Sequence, residues 1–122
     1  MNKEQLEQLS DLEINQAVTA AAYNLQGWEL SESGLCFYHC GLDGSDWVDF
    51  QIIDYCNSPS DMMPLVFEAG ISLHNESDDD GVFYCAHNSS DFRHSEYGKH
   101  RAWHSNPLRA AAIVYLLIKG GK

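Results

Sequence analysis

Apolar side chains recur at helical spacing early in the chain. Ile14, Ala17, Val18, Ala21, Ala22 and Leu25 share one narrow face. Ser10-Asp11-Leu12-Glu13 ahead of them is a capping box, in which Ser10 and Glu13 satisfy two otherwise orphaned amides. Leu9 and Ile14 stand where a hydrophobic staple would form, and Gly27 is the expected stop. Alanines fill much of this face, so the helix is expected to lie close against a sheet. Residues 1–8 carry no comparable pattern and are expected to be flexible or frayed.

The period then changes to two. Leu35, Phe37 and His39 alternate with Cys36, Tyr38 and Cys40; Val48, Phe50 and Ile52 alternate with Trp47, Asp49, Gln51 and Ile53. Leu42-Asp43-Gly44-Ser45 between the runs supplies turn chemistry, which predicts an antiparallel hairpin. Ser58-Pro59-Ser60-Asp61 reads as the start of a second helix, with Ser58 as cap and Pro59 as first residue. Pro64 either moves that start to Ser60 or bends the helix, and Gly70 closes it. Ile71 to Leu73 and Val82 to His87 are short strands around an acidic turn, Asn75 to Gly81. Residues 88–100 lack an apolar period and read as a loop carrying His94 and His100, before an extended piece at Arg101 to His104. Asn106-Pro107 opens a final helix to about Lys119, apolar nearly all round and so expected to be the most buried. The pattern predicts one α+β domain over 1–122: a single, mostly antiparallel sheet of four to five strands packed with three helices as an α-β sandwich.

Composition narrows the function classes. Eighteen acids against seven bases give a formal charge of −11, which argues against direct nucleic-acid binding and against anionic membrane surfaces. Such acidity suits solubility, a basic partner or mimicry of a nucleic acid's own charge. No apolar run approaches the roughly 20 residues that span a bilayer. Met1 to Gln5 has no apolar stretch behind a basic patch, so a cytoplasmic protein with thiol cysteines is expected.

The chemistry-bearing residues have plain readings beside sharper ones. Cys36-x2-His39-Cys40 is the compact metal-like cluster, but strand alternation separates His39 from the two cysteines. The four cysteines (Cys36, Cys40, Cys56 and Cys85) therefore read as small buried hydrophobes, and neither a metal nor a cofactor is expected. Cys56 with His87 or His104 could be drawn as a nucleophile and base, yet nothing in the sequence brings them together. Asp78-Asp79-Asp80 reads as a solvated turn without the ligand spacing of an EF-hand. Arg109 stands out because the third position of a helix is electrostatically unfavourable for a cation. Either it pairs with an acid such as Asp54 or Asp61, or its guanidinium and free helix amides form an anion site. In the second case Asp54, Tyr55, Asn57, Ser58, Asp61, Asn106 and Arg109 would line one pocket. Tyr55 would then stack on a base and the asparagines would bond its edge, although capping is the ordinary role for Asn57, Ser58 and Asn106.

Leu9 to Asn15 (LSDLEIN), Asp54 to Asp61 (DYCNSPSD) and Asn106 to Ala111 (NPLRAA) together resemble the NinX-like family of small phage-encoded proteins. More distantly, the order of strand, helix start and late alanine-rich helix is similar to phage α-β-α sandwich proteins. The segment from Asn88 to His100 has no counterpart in that resemblance. The resemblance implies a phage or prophage origin and brings no catalytic residue with it. The expectation is a non-enzymatic phage accessory protein that acts by binding, sequestering a small anionic or nucleotide-like ligand at the helix starts. The alternative is an acidic protein-interaction module or DNA mimic that occupies a host protein.

Overall fold

The computed structural model describes residues 2–40, 47–88 and 100–120. The elements are α1 (Lys3–Glu7), α2 (Asp11–Tyr23), β1 (Glu29–Leu30), β2 (Cys36–Cys40), β3 (Trp47–Gln51), α3 (Pro59–Ala69), β4 (Ser72–Asn75), β5 (Tyr84–His87), β6 (Arg101–His104) and α4 (Pro107–Gly120). The α+β class holds, but the strands form two separate antiparallel sheets, β1-β2-β3 and β4-β5-β6, where a single sheet was expected. Each strand pairs with its neighbour in sequence, and the turn at residues 54–58 followed by α3 separates the two groups. Period-two patterning reports which face of a strand is apolar. It carries nothing about whether two hairpins join edge to edge.

The helix starts follow the local chemistry. Ser10 and Glu13 close their capping box around the first turn of α2. That helix ends at Asn24, whose φ of 55° is left-handed, ahead of the expected Gly27 stop. Residues 3–7 are helical where fraying was expected. Asn2 and Gln5 form a second capping box, with reciprocal bonds of 2.8 and 2.9 Å, and Leu6 is buried in the core. In α3, Pro59 takes the first position and Pro64 is carried inside the helix, so the start does not shift to Ser60.

Helix α4 is the hub. Arg109 through Tyr115 are all buried, and α1, α2, α3, β5 and β6 all pack on this helix. Facing α4 from the second sheet are Ala86 and Ala102, both fully buried. From α2 come Ile14 and Val18, so the alanine-rich helix packs chiefly on a helix and not on a sheet. The hairpin register is Cys36 to Gln51 through Cys40 to Trp47, which puts Leu30, Phe37 and Phe50 in one row across the first sheet. That row looks towards α2, where Tyr23 meets the Phe50 ring at 4.6 Å. The Leu42–Ser45 turn and the 89–99 part of the loop lie outside the described residues.

Candidate functional site

The turn after β3 is held by buried polar side chains one helical turn apart on α2. Asn15 donates through Nδ2 to Asp54 Oδ1 at 2.8 Å and accepts the Cys56 amide on Oδ1 at 3.0 Å. Thr19, four residues on, accepts the Ile53 amide at 3.2 Å. Asn57 donates to both Asp54 oxygens at 3.1 and 3.2 Å. From α4, Asn106 donates to the Cys56 carbonyl at 2.7 Å while its Oδ1 accepts the Leu108 amide at 3.0 Å. One asparagine therefore caps α4 and ties it to the turn. Polar residues on an otherwise apolar helix face are the signal for such a link, because a buried amide group needs partners.

Other expected site residues have structural partners as well. Ser58 is the first cap of α3, but its hydroxyl donates to Asp61 Oδ2 at 2.6 Å instead of accepting a helix amide. Tyr55 is only 2% exposed. Burial pushes its hydroxyl well above the ordinary tyrosine range, and neighbouring Tyr23 and Asp61 add to the shift. A ring so enclosed presents no face on which a base could stack. Cys56 is buried too, and its thiol is pushed up to about 12 by burial, with Asp11 and Asp54 adding and Arg109 opposing. That is the reverse of an activated nucleophile.

Arg109 is 7% exposed and makes its bonds away from Asp54 and Asp61, the acids expected to pair with it. Its NH1 reaches Asp11 Oδ1 at 2.6 Å, and its NH2 donates to the carbonyls of Glu7 at 3.2 Å and Leu9 at 2.5 Å. The position, awkward for α4, becomes favourable on this view. The cation lies at the carbonyl end of α1 and beside an acid in the first turn of α2. Three helices are joined at one guanidinium. Sequence reasoning singles out the residue but names other acids, because nothing local links Arg109 to an acid 98 residues earlier in the chain.

Of the seven expected ligand-binding residues, Asp54 alone lines the cleft beside this turn. The cleft measures about 330 Å³ and is walled by Asp11, Leu12, Asn15, Leu35, Ile52 and Asp54. A second cleft of about 270 Å³ is walled by Leu9, Glu13, Gln16, Ala17, Ala20, Leu30 and Phe37. The two flank a seam where Gly34 lies against α2. Gln16 Nε2 donates to the Gly34 carbonyl at 3.0 Å, and a Cβ on Gly34 would come within 2.9 Å of that nitrogen. Leu12 and Gln16 sit on the seam. Asp11 and Asn15 then fall on one side and Glu13, Ala17 and Ala20 on the other, as 100° per residue requires. Leu35 and Leu30 at the rims are 57% and 42% exposed. No basic residue lines either cleft, whereas Asp11, Glu13 and Asp54 do.

Among the described residues no helix is long and apolar enough to cross a membrane. No curated protein and no solved structure matches the chain. The family model described as Bacteriophage P22, NinX matches residues 5–119, a span that holds all three sequence blocks, the arginine clasp and both clefts. The chain belongs to this phage NinX family.

Proposed function

We propose that this phage accessory protein acts by binding, and that its partner is a basic protein segment whose apolar side chains seat between α2 and the first sheet. The observation that carries the reading is the pair of clefts just described, largely apolar in their walls, with Asp11, Glu13 and Asp54 and no basic residue among the side chains that line them. Positive charge on the partner would be steered by the −11 of the chain. Each rim leucine that the partner covers would contribute up to about 1.5–3 kcal/mol, less the share already buried. An amphipathic segment with one apolar stripe and flanking Lys or Arg fits this chemistry. The anionic-ligand reading has lost its main support, since Arg109 is engaged by Asp11 and two carbonyls.

Fluorescence anisotropy with a labelled Lys/Leu amphipathic peptide, and with a scramble of the same composition, tests the proposal. The patterned peptide is expected to bind at least about tenfold more tightly than the scramble, in line with a difference of about 1.4 kcal/mol. Leu30→Asp combined with Leu35→Asp is expected to abolish that preference while leaving the melting temperature nearly unchanged, since both side chains are exposed. Equal affinity for the two peptides, or an undiminished preference in the double variant, would overturn it.

A further inference from the structure

The outer face of the second sheet carries a chemistry unrelated to those clefts. In β4 and β5, His74 and Cys85 are register partners, and Trp103 of β6 is the next residue in the same row. Glu76 follows His74 by two residues and so falls on the same side of the chain. The ligand atoms of His74, Glu76 and Cys85 all lie within 4.8 Å of one another. His74 Nε2 and Glu76 Oε1 are 2.9 Å apart. The other carboxylate oxygen, Oε2, accepts from the Trp103 indole at 2.5 Å. His74 and Glu76 are exposed, and Cys85 is buried beneath them.

We propose that His74, Glu76 and Cys85 bind a divalent transition-metal ion, with zinc as the best fit. An imidazole, a carboxylate and a thiol are all accepted zinc ligands, and a tetrahedral ion at ordinary bond lengths would hold them about 3.3–3.6 Å apart. Reaching that spacing takes an adjustment of about an ångström. It falls on the two exposed side chains, chiefly by opening the His74–Glu76 contact while the Trp103 bond to Oε2 is kept, and the Cys85 sulfur stays as the floor. Entry of the ion replaces the His74–Glu76 contact with two bonds to metal. The Cys85 proton leaves to solvent and the neutral imidazole moves its proton from Nε2 to Nδ1 to free the ligand nitrogen, so thiolate and carboxylate together balance the two positive charges. The fourth position remains for water. Trp103 holds Oε2 and thereby leaves Oε1 as a single, aimed donor, the kind of outer contact that orients a metal-binding carboxylate. For Cys85 this adds a role to the buried, apolar one expected of the cysteines. Sequence spacing hid the set because His74 on β4 and Glu76 just past its end are two residues apart, and the third ligand comes from the strand beside it.

The test is titration of the full chain with zinc and with cobalt(II), followed by calorimetry and absorption. Binding of one ion per chain and a thiolate-to-cobalt charge-transfer band are expected. Cys85→Ser should remove the band and weaken zinc by more than about 100-fold, and Trp103→Phe should weaken it by about 10-fold. Cys36→Ser should change neither. Should Cys85→Ser fail to fold, Glu76→Gln and Trp103→Phe decide the matter, since both alter exposed side chains. Failure of wild-type protein to bind either ion, a band that survives Cys85→Ser, or unchanged affinity in both exposed variants would overturn the site.

Discussion

Arg109→Ala removes a guanidinium that joins α1, α2 and α4, and its cost can be worked from the contacts. Three charge-assisted bonds are lost, each of a kind worth about 1.5–3 kcal/mol, and the carbonyls of Glu7 and Leu9 lose their side-chain donor. These bonds share one group and do not add, and breaking a buried pair costs about 3–5 kcal/mol as a whole. Asp11 is half exposed, so its carboxylate regains water when the arginine goes. This places the loss near the lower end, about 3–4 kcal/mol. At this chain length about 3–6 °C accompanies each kcal/mol, so the melting temperature should fall by roughly 10–20 °C. Arg109→Lys keeps the charge but not the fork and should lose about 2 kcal/mol. Asp11→Asn should lose only about 1 kcal/mol, because that acid is partly in water and the two carbonyl bonds survive. Urea denaturation gives the three values, and hydrogen exchange should show α1 amides losing protection first in Arg109→Ala. A loss below about 1 kcal/mol in Arg109→Ala, or a larger loss in Asp11→Asn, would refute the clasp.

Three further outcomes follow from the same region. Asn106→Asp keeps a good helix cap yet cannot donate to the Cys56 carbonyl, so it should destabilise by about 1–3 kcal/mol in urea melts, whereas a capping role alone would leave stability unchanged. His104 is held below its ordinary value by burial and by Arg109, with Asp11 opposing, and its Nδ1 accepts the Asn106 amide at 2.9 Å. The folded state therefore binds fewer protons than the unfolded one just below about pH 6.5, and stability should fall as pH drops from about 7.5 to 5. His104→Asn, which keeps an acceptor that does not titrate, should flatten that slope in paired urea melts. Cys56, with its thiol pushed up to about 12, should resist alkylation in native protein at neutral pH, with half-buried Cys36 modified before it by mass spectrometry.

What could be read from the residues alone, and what could not, divides along the range of the interactions. Ser10 with Glu13, Pro59 after Ser58, and Gly70 are local signals, and α2 and α3 begin and end at or near them. The apolar run from Ala110 onward marked α4 as the buried centre, which it is. The same local grammar at Asn2 and Gln5 opens α1, whose last carbonyl, on Glu7, is one of the two that Arg109 holds. Sheet composition was not legible, because β1 is two residues long and no pattern states which edges meet. Asp54, Asn57 and Asn106 meet around the turn at residues 54–58. Asp54 accepts from Asn15 and Asn57, and Asn106 donates to the Cys56 carbonyl, which gives the DYCNSP and NPLR blocks a direct structural role. The clefts arise where the apolar row of the first sheet covers α2 incompletely, a matter of fit between surfaces distant in sequence.

Amide chemical-shift mapping with the patterned Lys/Leu peptide tests the binding surface most directly. The shifts are expected to concentrate on residues 9–20, which run from the α1–α2 connection into α2, on 29–38, and on 48–52, and to weaken as salt rises. Shifts centred instead on residues 54–61 and 106–109, or spread evenly over the acidic surface, would contradict a partner seated between α2 and the first sheet.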